Sequence, residues 1–199
     1  MQSPNVSHQR NPSDCGGSAA HKGMMRTILT PHVQLEPQLA AHAHEMFAVL
    51  SDPAIYEFEN AAPVSESWLA QRFQRLESCG SPDGAEKWLN WVVRLASGEL
   101  AGYVQATVLP DGAAFVAYEL NSRHWRQGIG SCAVRAMLEE LRERYGVRLF
   151  VAVLKARNYR SHALLCKLGF VAANVEQTVR YRDEPDELVM VKASIGTAA

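Results

Sequence analysis

Leu120-Asn-Ser-Arg-His-Trp-Arg-Gln-Gly-Ile-Gly-Ser131 is the stretch on which the reading of this chain turns. It follows the apolar run Ala-Ala-Phe-Val-Ala-Tyr-Glu-Leu (113–120). It precedes a segment in which Val134, Met137, Leu138, Leu141 and Tyr145 recur at helical spacing. A strand therefore turns into a helix here, around two glycines. Gly128 and Gly130 let backbone N–H groups converge on one point with no Cβ in the way. The helix N-terminus adds a partial positive charge, so the loop Arg126-Gln127-Gly128-Ile129-Gly130-Ser131 is a candidate pyrophosphate site. Arg126 brings a full charge and Ser131 a hydroxyl donor. A plain strand-to-helix turn is the competing reading. By letter, Gly128-Ile-Gly-Ser-Cys-Ala133 also fits the dinucleotide pattern GxGxxG/A. Two things argue against that fit. The loop follows three strands instead of opening the domain, and the next strand ends in Leu154-Lys155, where a ribose-binding carboxylate should stand.

Upstream, residues 27–35 read as a first strand and Pro37 as the opening of a helix that buries Leu39, Ala43, Met46, Phe47 and Leu50. Ser65 caps a second helix with Trp68, Leu69, Phe73 and Leu76 on its apolar side. The period then changes. Residues 87–95, 100–109 and 113–120 alternate like strands, and Ser97-Gly-Glu99 and Pro110-Asp-Gly112 are short enough for hairpins. Downstream, Gly146 ends the glycine-loop helix, and residues 147–154 form the most apolar strand. Residues 158–168 read as a helix closed by Gly169, and 175–181 and 187–192 as two last strands. This order predicts an α+β fold: a mixed, largely antiparallel central sheet with helices on both faces.

The chain has 199 residues, 47% apolar and 21% charged, with a net charge of −1. No global field draws it to nucleic acid or to an anionic membrane, so neither is expected as a partner. No apolar run reaches 18 residues and no secretory leader is legible, so the expected compartment is the cytoplasm. Residues 1–24 carry almost no large apolar side chain; they are expected to be a disordered tail, with 25–199 forming one domain. Met24 or Met25 could equally be the start. The four cysteines at 15, 79, 132 and 166 form no metal or redox spacing, and Cys132 and Cys166 are expected in the core. His42 and His44, two apart on a helix, cannot share an ion, so no metal is expected.

Two blocks together resemble the GCN-type N-acetyltransferase (GNAT) superfamily, most closely its RimJ/RimL-like branch. One is the glycine loop, similar to the family's Arg/Gln-x-x-Gly-x-Gly/Ala. The other is Asn158-Tyr-Arg-Ser-His-Ala-Leu-Leu-Cys-Lys-Leu-Gly-Phe170, similar to Asn-x-x-Ala/Ser…Gly-Phe. Trp125 stands at the first motif position and Arg126 where glycine is usual. The resemblance covers about residues 25–193. It implies an acetyl-CoA-dependent N-acetyltransferase that moves the acetyl group to a primary amine, a protein N-terminus or a small molecule, by direct attack in a ternary complex. It implies acetyl-CoA as co-substrate, the loop amides on the pyrophosphate, Leu120 in a strand beside the pantetheine arm, and Asn158 contacting that arm or organising its loop. A monomer or homodimer is expected. A non-catalytic CoA-binding module is the alternative.

Acetyl transfer needs a neutral amine, a stabilised oxyanion and a reprotonated thiolate. Glu119, at the end of its strand, is the expected base, with His124 as the second candidate. Family members often carry a tyrosine acid seven residues after the motif Asn; here that position is Leu165, and the resemblance passes the role to Ser161, with Tyr159 as a substitute. The resemblance also places residues 55–60, Ile-Tyr-Glu-Phe-Glu-Asn, beside the acceptor. Tyr56, Phe58 and Glu59, with Glu57, are therefore expected to favour a cationic substrate.

Overall fold

A computed structural model describes residues 25–58 and 60–194. The expected tail and Glu59 lie outside the described residues.

The strands are β1 (Ile28–Leu29), β2 (Val33–Pro37), β3 (Lys87–Leu95), β4 (Leu100–Val108), β5 (Ala113–Leu120), β6 (Leu149–Lys155), β7 (Val171–Ala172) and β8 (Glu187–Ala193). The helices are α1 (Ala43–Leu50), α2 (Glu66–Leu76), α3 (Ile129–Tyr145), α4 (Tyr159–Lys167) and α5 (Val175–Tyr181). One sheet in the order β1-β2-β3-β4-β5-β6-β8-β7 takes up all eight strands. Every pairing is antiparallel except β5 with β6. This is the expected α+β class.

Strand alternation distributes the helices. Trp91 and Val93 of β3, Val104 and Ala106 of β4, and Val116, Tyr118 and Leu120 of β5 share one cluster with the buried faces of α3 and α4. On the other face, α1 and α2 pack through Met46, Leu50, Leu69 and Phe73 onto Val92 and Leu100. The α5 residue Tyr181 packs there on Phe115, Val151 and Val189. In β4 the register shifts by one residue, with Val93 opposite Gly102 but Arg94 opposite Leu100. This bulge brings the chain so close to β5 that a Cβ at Gly102 would stand 2.0 Å from the Glu119 carbonyl oxygen.

The parallel seam is short. β5 and β6 pair only at Ala113–Leu149, Ala114–Phe150 and Phe115–Val151. Beyond Phe115 the two strands diverge, and the wedge between them opens toward the glycine loop.

Four local expectations need correction. The first strand is a hairpin: Pro31 cannot continue a ladder, and the Thr30 hydroxyl accepts the Val33 N–H at 2.9 Å to make the turn. Pro37 ends β2 opposite Trp91, and α1 begins only at Ala43 after a short 3-10 turn. Residues 175–181 are helix α5, because Asn174 and Gln177 exchange side-chain and backbone bonds in a capping box. Val175 and Val179 look strand-like in sequence but stand exposed one helical turn apart. Cys166 is exposed and Cys132 only half-buried, its sulfur 3.3 Å from the Thr30 hydroxyl.

Among the described residues no helix is long and apolar enough to cross a membrane, and no group of three or more His, Cys, Asp or Glu could hold a metal.

Candidate active site

Two cavities lie on opposite faces of the sheet, either side of the C-terminal end of β5. Successive strand residues point to opposite faces. Leu120 accordingly lines one cavity and Glu119 the other.

The cavity on the α3–α4 face has a volume of about 480 Å³ and includes Trp125, Arg126, Gly128, Gly130 and Ser131 of the glycine loop. Gly128 is the N-cap of α3 with φ +81°, and nothing lies within 4 Å of where its Cβ would be. Arg126 also adopts a left-handed φ, +61°, which explains why glycine is at home there. Its side chain reaches the same cavity. The loop is pinned from behind: Trp125 Nε1 donates to the Leu120 carbonyl at 2.8 Å, and Gln127 Nε2 to the Arg123 carbonyl at 2.7 Å. Helix-terminal N–H groups, an adjoining cation and open space above a left-handed glycine suit a pyrophosphate. Gln127 and Ile129 shape the loop without lining the cavity.

Arg160, from the first turn of α4, had no sequence signal. Its guanidinium lies 4.6 Å from the centre of the Trp125 ring and 5.3 Å from that of Phe58, and it pairs with Glu57. Arg157 Nη2 donates to the Phe58 carbonyl at 2.8 Å, and Phe58 meets Tyr159 edge-on at 5.8 Å. The start of α4 and the turn before it therefore clamp residues 57–58. Of the expected acceptor residues, Tyr56 lines the second cavity, its hydroxyl donating to the Leu50 carbonyl at 2.7 Å. Phe58 is buried beneath Arg160 instead, and the Glu57 charge is taken up by that ion pair.

The second cavity, about 300 Å³, lies between α2 and the floor made by β4 and β5. Glu119 is 4% exposed, and burial pushes its carboxyl up to about 7. Hydrogen bonds from Tyr103 and Asn60 and the charge of Arg72 pull in the opposite direction. A carboxyl half-ionised near neutrality can accept a proton from an ammonium group and release it again. His124 is buried on the other side; desolvation, then the charge of Arg123, lowers its pKa. Its Nε2 already accepts from Arg123 Nε at 3.0 Å. Glu119 has the better geometry for a base.

Asn158 is fully buried and caps α4, its Oδ1 accepting the Ser161 N–H at 3.1 Å. Ser161 is 1% exposed, and its hydroxyl meets that of Tyr118 at 2.8 Å. Tyr118 is a second residue that sequence reading missed. It neighbours Glu119 but faces the opposite way, so a phenol lies on the α4 face although position 165 is a buried leucine. Ser161→Ala would leave that phenol near only the Ser161 carbonyl, at 3.5 Å. A buried hydroxyl left with only so long a bond is expected to cost roughly 1 kcal/mol in chemical denaturation.

The family model described as acetyltransferase (GNAT) domain matches residues 32–171. No curated protein matches the sequence. Among solved structures, a ribosomal-protein-S5-alanine acetyltransferase from Vibrio fischeri is 17% identical with a TM-score of 0.70, over 87% of this chain and 99% of that one. RimL, a ribosomal L7/L12 alpha-N-protein acetyltransferase in complex with coenzyme A, is 16% identical with a TM-score of 0.70, over 84% and 97%. An acetyltransferase from Thermus thermophilus is 19% identical with a TM-score of 0.64, over 84% and 99%. At these identities the likeness is one of fold.

Proposed function

Since the chain belongs to the GNAT acetyltransferase family, we propose that it transfers an acetyl group from acetyl-CoA to a primary amine, of a protein N-terminus or a small molecule, by direct attack in a ternary complex. The observation that carries this reading is the pair of cavities at one strand end. Leu120 lines the cavity with the phosphate-type loop, and its neighbour Glu119 lines the other with a carboxyl poised near neutrality.

Acetyl-CoA supplies the activated thioester. The residues assigned to hold it are Arg126, Gln127, Gly128, Ile129, Gly130 and Ser131 through backbone amides and charge, Leu120 beside the wedge, and Asn158 by organising the start of α4. Trp125 and Arg160 form an aromatic and cationic wall of the same cavity. Glu119 takes the proton of the incoming ammonium, directly or through water, and so frees the nitrogen lone pair. The Ser161 hydroxyl, backed by Tyr118, is the assigned proton source for the departing thiolate. A hydroxyl in place of the phenol at 165, with the fold likeness to RimL, supports the RimJ/RimL-like branch.

The test is ligand-induced stabilisation followed by turnover. Acetyl-CoA at a hundredfold excess over its dissociation constant should add about 2.7 kcal/mol of stability, a melting shift of several degrees, and NAD none. Thiol release with an amine present should follow. Stabilisation by NAD alone would refute the reading. Tight CoA binding with no thiol release on any amine would instead select a non-catalytic module, which the buried Leu165 favours.

A further inference from the structure

The second cavity has a polarity of its own. The β4–β5 register sets Tyr103 opposite Glu119, and alternation places Gln105 on the same floor, about 7 Å further along the strand. Gln105 pairs in turn with Asn90 of β3, whose carbonyl accepts the Gln38 N–H at 2.9 Å. Gln38 thus lines the end of the cavity remote from Glu119.

Two donors in this cavity have capacity to spare. Gln38 is 7% exposed, and its side-chain Nε2 is buried with no hydrogen-bond partner. Orphaned buried donors are uncommon in folded proteins, and this one belongs to a residue that lines the cavity. Arg72 reaches in from α2 with its guanidinium 5.8 Å from the centre of the Trp68 ring; among the described residues it makes no ion pair. Its charge is felt at Glu119. Glu119 is the only carboxylate lining the cavity among the described residues.

We propose that the acetyl acceptor is a small amine that also carries a carboxylate a few bonds away, an amino-acid-like zwitterion, with its ammonium toward Glu119 and its carboxylate held by Arg72 and Gln38. The proposal deepens the acetyl-transfer reading and rests on it. A guanidinium and an amide N–H together suit a carboxylate, and the cation–π contact with Trp68 helps to hold the guanidinium in place. A polyamine would set a second cation against Arg72. A peptide N-terminus would bring a neutral amide and leave the guanidinium without a counter-ion. The sequence alone pointed to cationic acceptors through Glu57 and Glu59 beside Tyr56 and Phe58; the Arg160 pair takes up the Glu57 charge, and Glu59 lies outside the described residues.

The experiment titrates the CoA-loaded full chain calorimetrically with leucine, 4-aminobutyrate, the carboxamide of each, spermidine and a short peptide amide. Thiol release from acetyl-CoA is measured on the same panel. At least one amino acid should bind about tenfold or more tighter than its carboxamide, the size expected of a charge-assisted contact. Arg72→Met should bring that ratio close to one, Arg72→Lys should keep part of it, and Gln38→Leu should reduce it severalfold. CoA affinity should hold in all three. Carboxamide, spermidine or peptide binding as tightly as the amino acids would overturn the proposal. So would the absence of amino-acid binding, or an unchanged ratio in Arg72→Met. Carboxylate-selective binding without thiol release would refute the transfer reading and leave the site standing. Transfer to spermidine or peptide without carboxylate preference would do the reverse.

Discussion

Glu119→Gln is expected to lower kcat/KM for the amine by roughly 10²–10⁴-fold, the range typical of a removed general base. CoA affinity should change little, because Glu119 faces away from the glycine loop. The pH profile gives the more specific signature. With a carboxyl pKa of about 7, wild-type turnover should rise with pH through neutrality as the base ionises. In the glutamine variant that limb should be gone. Stability should move in the opposite sense. A carboxyl raised from 4.5 to about 7 by burial binds its proton more tightly in the folded than in the unfolded state. The folded state therefore loses stability as pH rises between those two values, by about 3 kcal/mol in all. Glutamine carries no such penalty, so the variant should melt higher than wild type above pH 7. Unaltered turnover, or an unaltered acidic limb, would return Glu119 to a purely structural role.

Gly128→Val should abolish measurable CoA binding. The backbone there has φ +81°, which a β-branched residue resists by roughly 1–2 kcal/mol. The side chain would project into open space, so the fold should survive with a modest loss in melting temperature. The pyrophosphate, in contrast, would meet an isopropyl group where it needs to touch backbone. Displacing even one charge-assisted hydrogen bond of about 1.5–3 kcal/mol weakens binding roughly 10- to 100-fold, and the proposed mode uses several amides of this loop. Gly128→Ala should fall between the two. Native CoA affinity in the valine variant, measured calorimetrically on folded protein, would make the loop a turn and nothing more.

The sequence signals that succeeded were local and periodic. Alternation in residues 87–120 and the 3.6 spacing around Val134 and Leu138 placed the meander, the glycine-loop helix and Glu119 at its strand end. Those that failed were contested locally. At residues 175–181 the β-branched content favoured a strand, whereas the Asn174 cap and an exposed surface decided for helix. Pro37 carries two legitimate readings, helix start and strand end, and pairing with β3 chose the second. The candidate site was legible where backbone conformation is written into residue type, as in the left-handed turn at Gly128. It was opaque where tertiary contact decides. Arg160 lies 103 residues from Glu57 in the chain, and Tyr118 lies 43 from Ser161; nothing in either local pattern announces the pairing. The Gln38 amide and Arg72 belong to the same class, since the role proposed for them rests on the hydrogen-bond and ion-pair partners they lack among the described residues.

The three-pair seam between β5 and β6 divides the sheet into a leaf of five strands and a leaf of three. Beyond the seam the span between the leaves is carried by α4 and the turn before it, through the Tyr118–Ser161 hydroxyl pair and through the arginines at 157 and 160 that reach residues 57 and 58. A molecule seated in the wedge would touch both leaves at once and act as a keystone: its largest contribution would be to the joint that the chain itself makes weakest. Backbone amides along the diverging edges of β5 and β6 would then be the ones whose hydrogen exchange slows most on saturation, while those of the β3–β4 hairpin, paired at eight positions, would barely register the ligand.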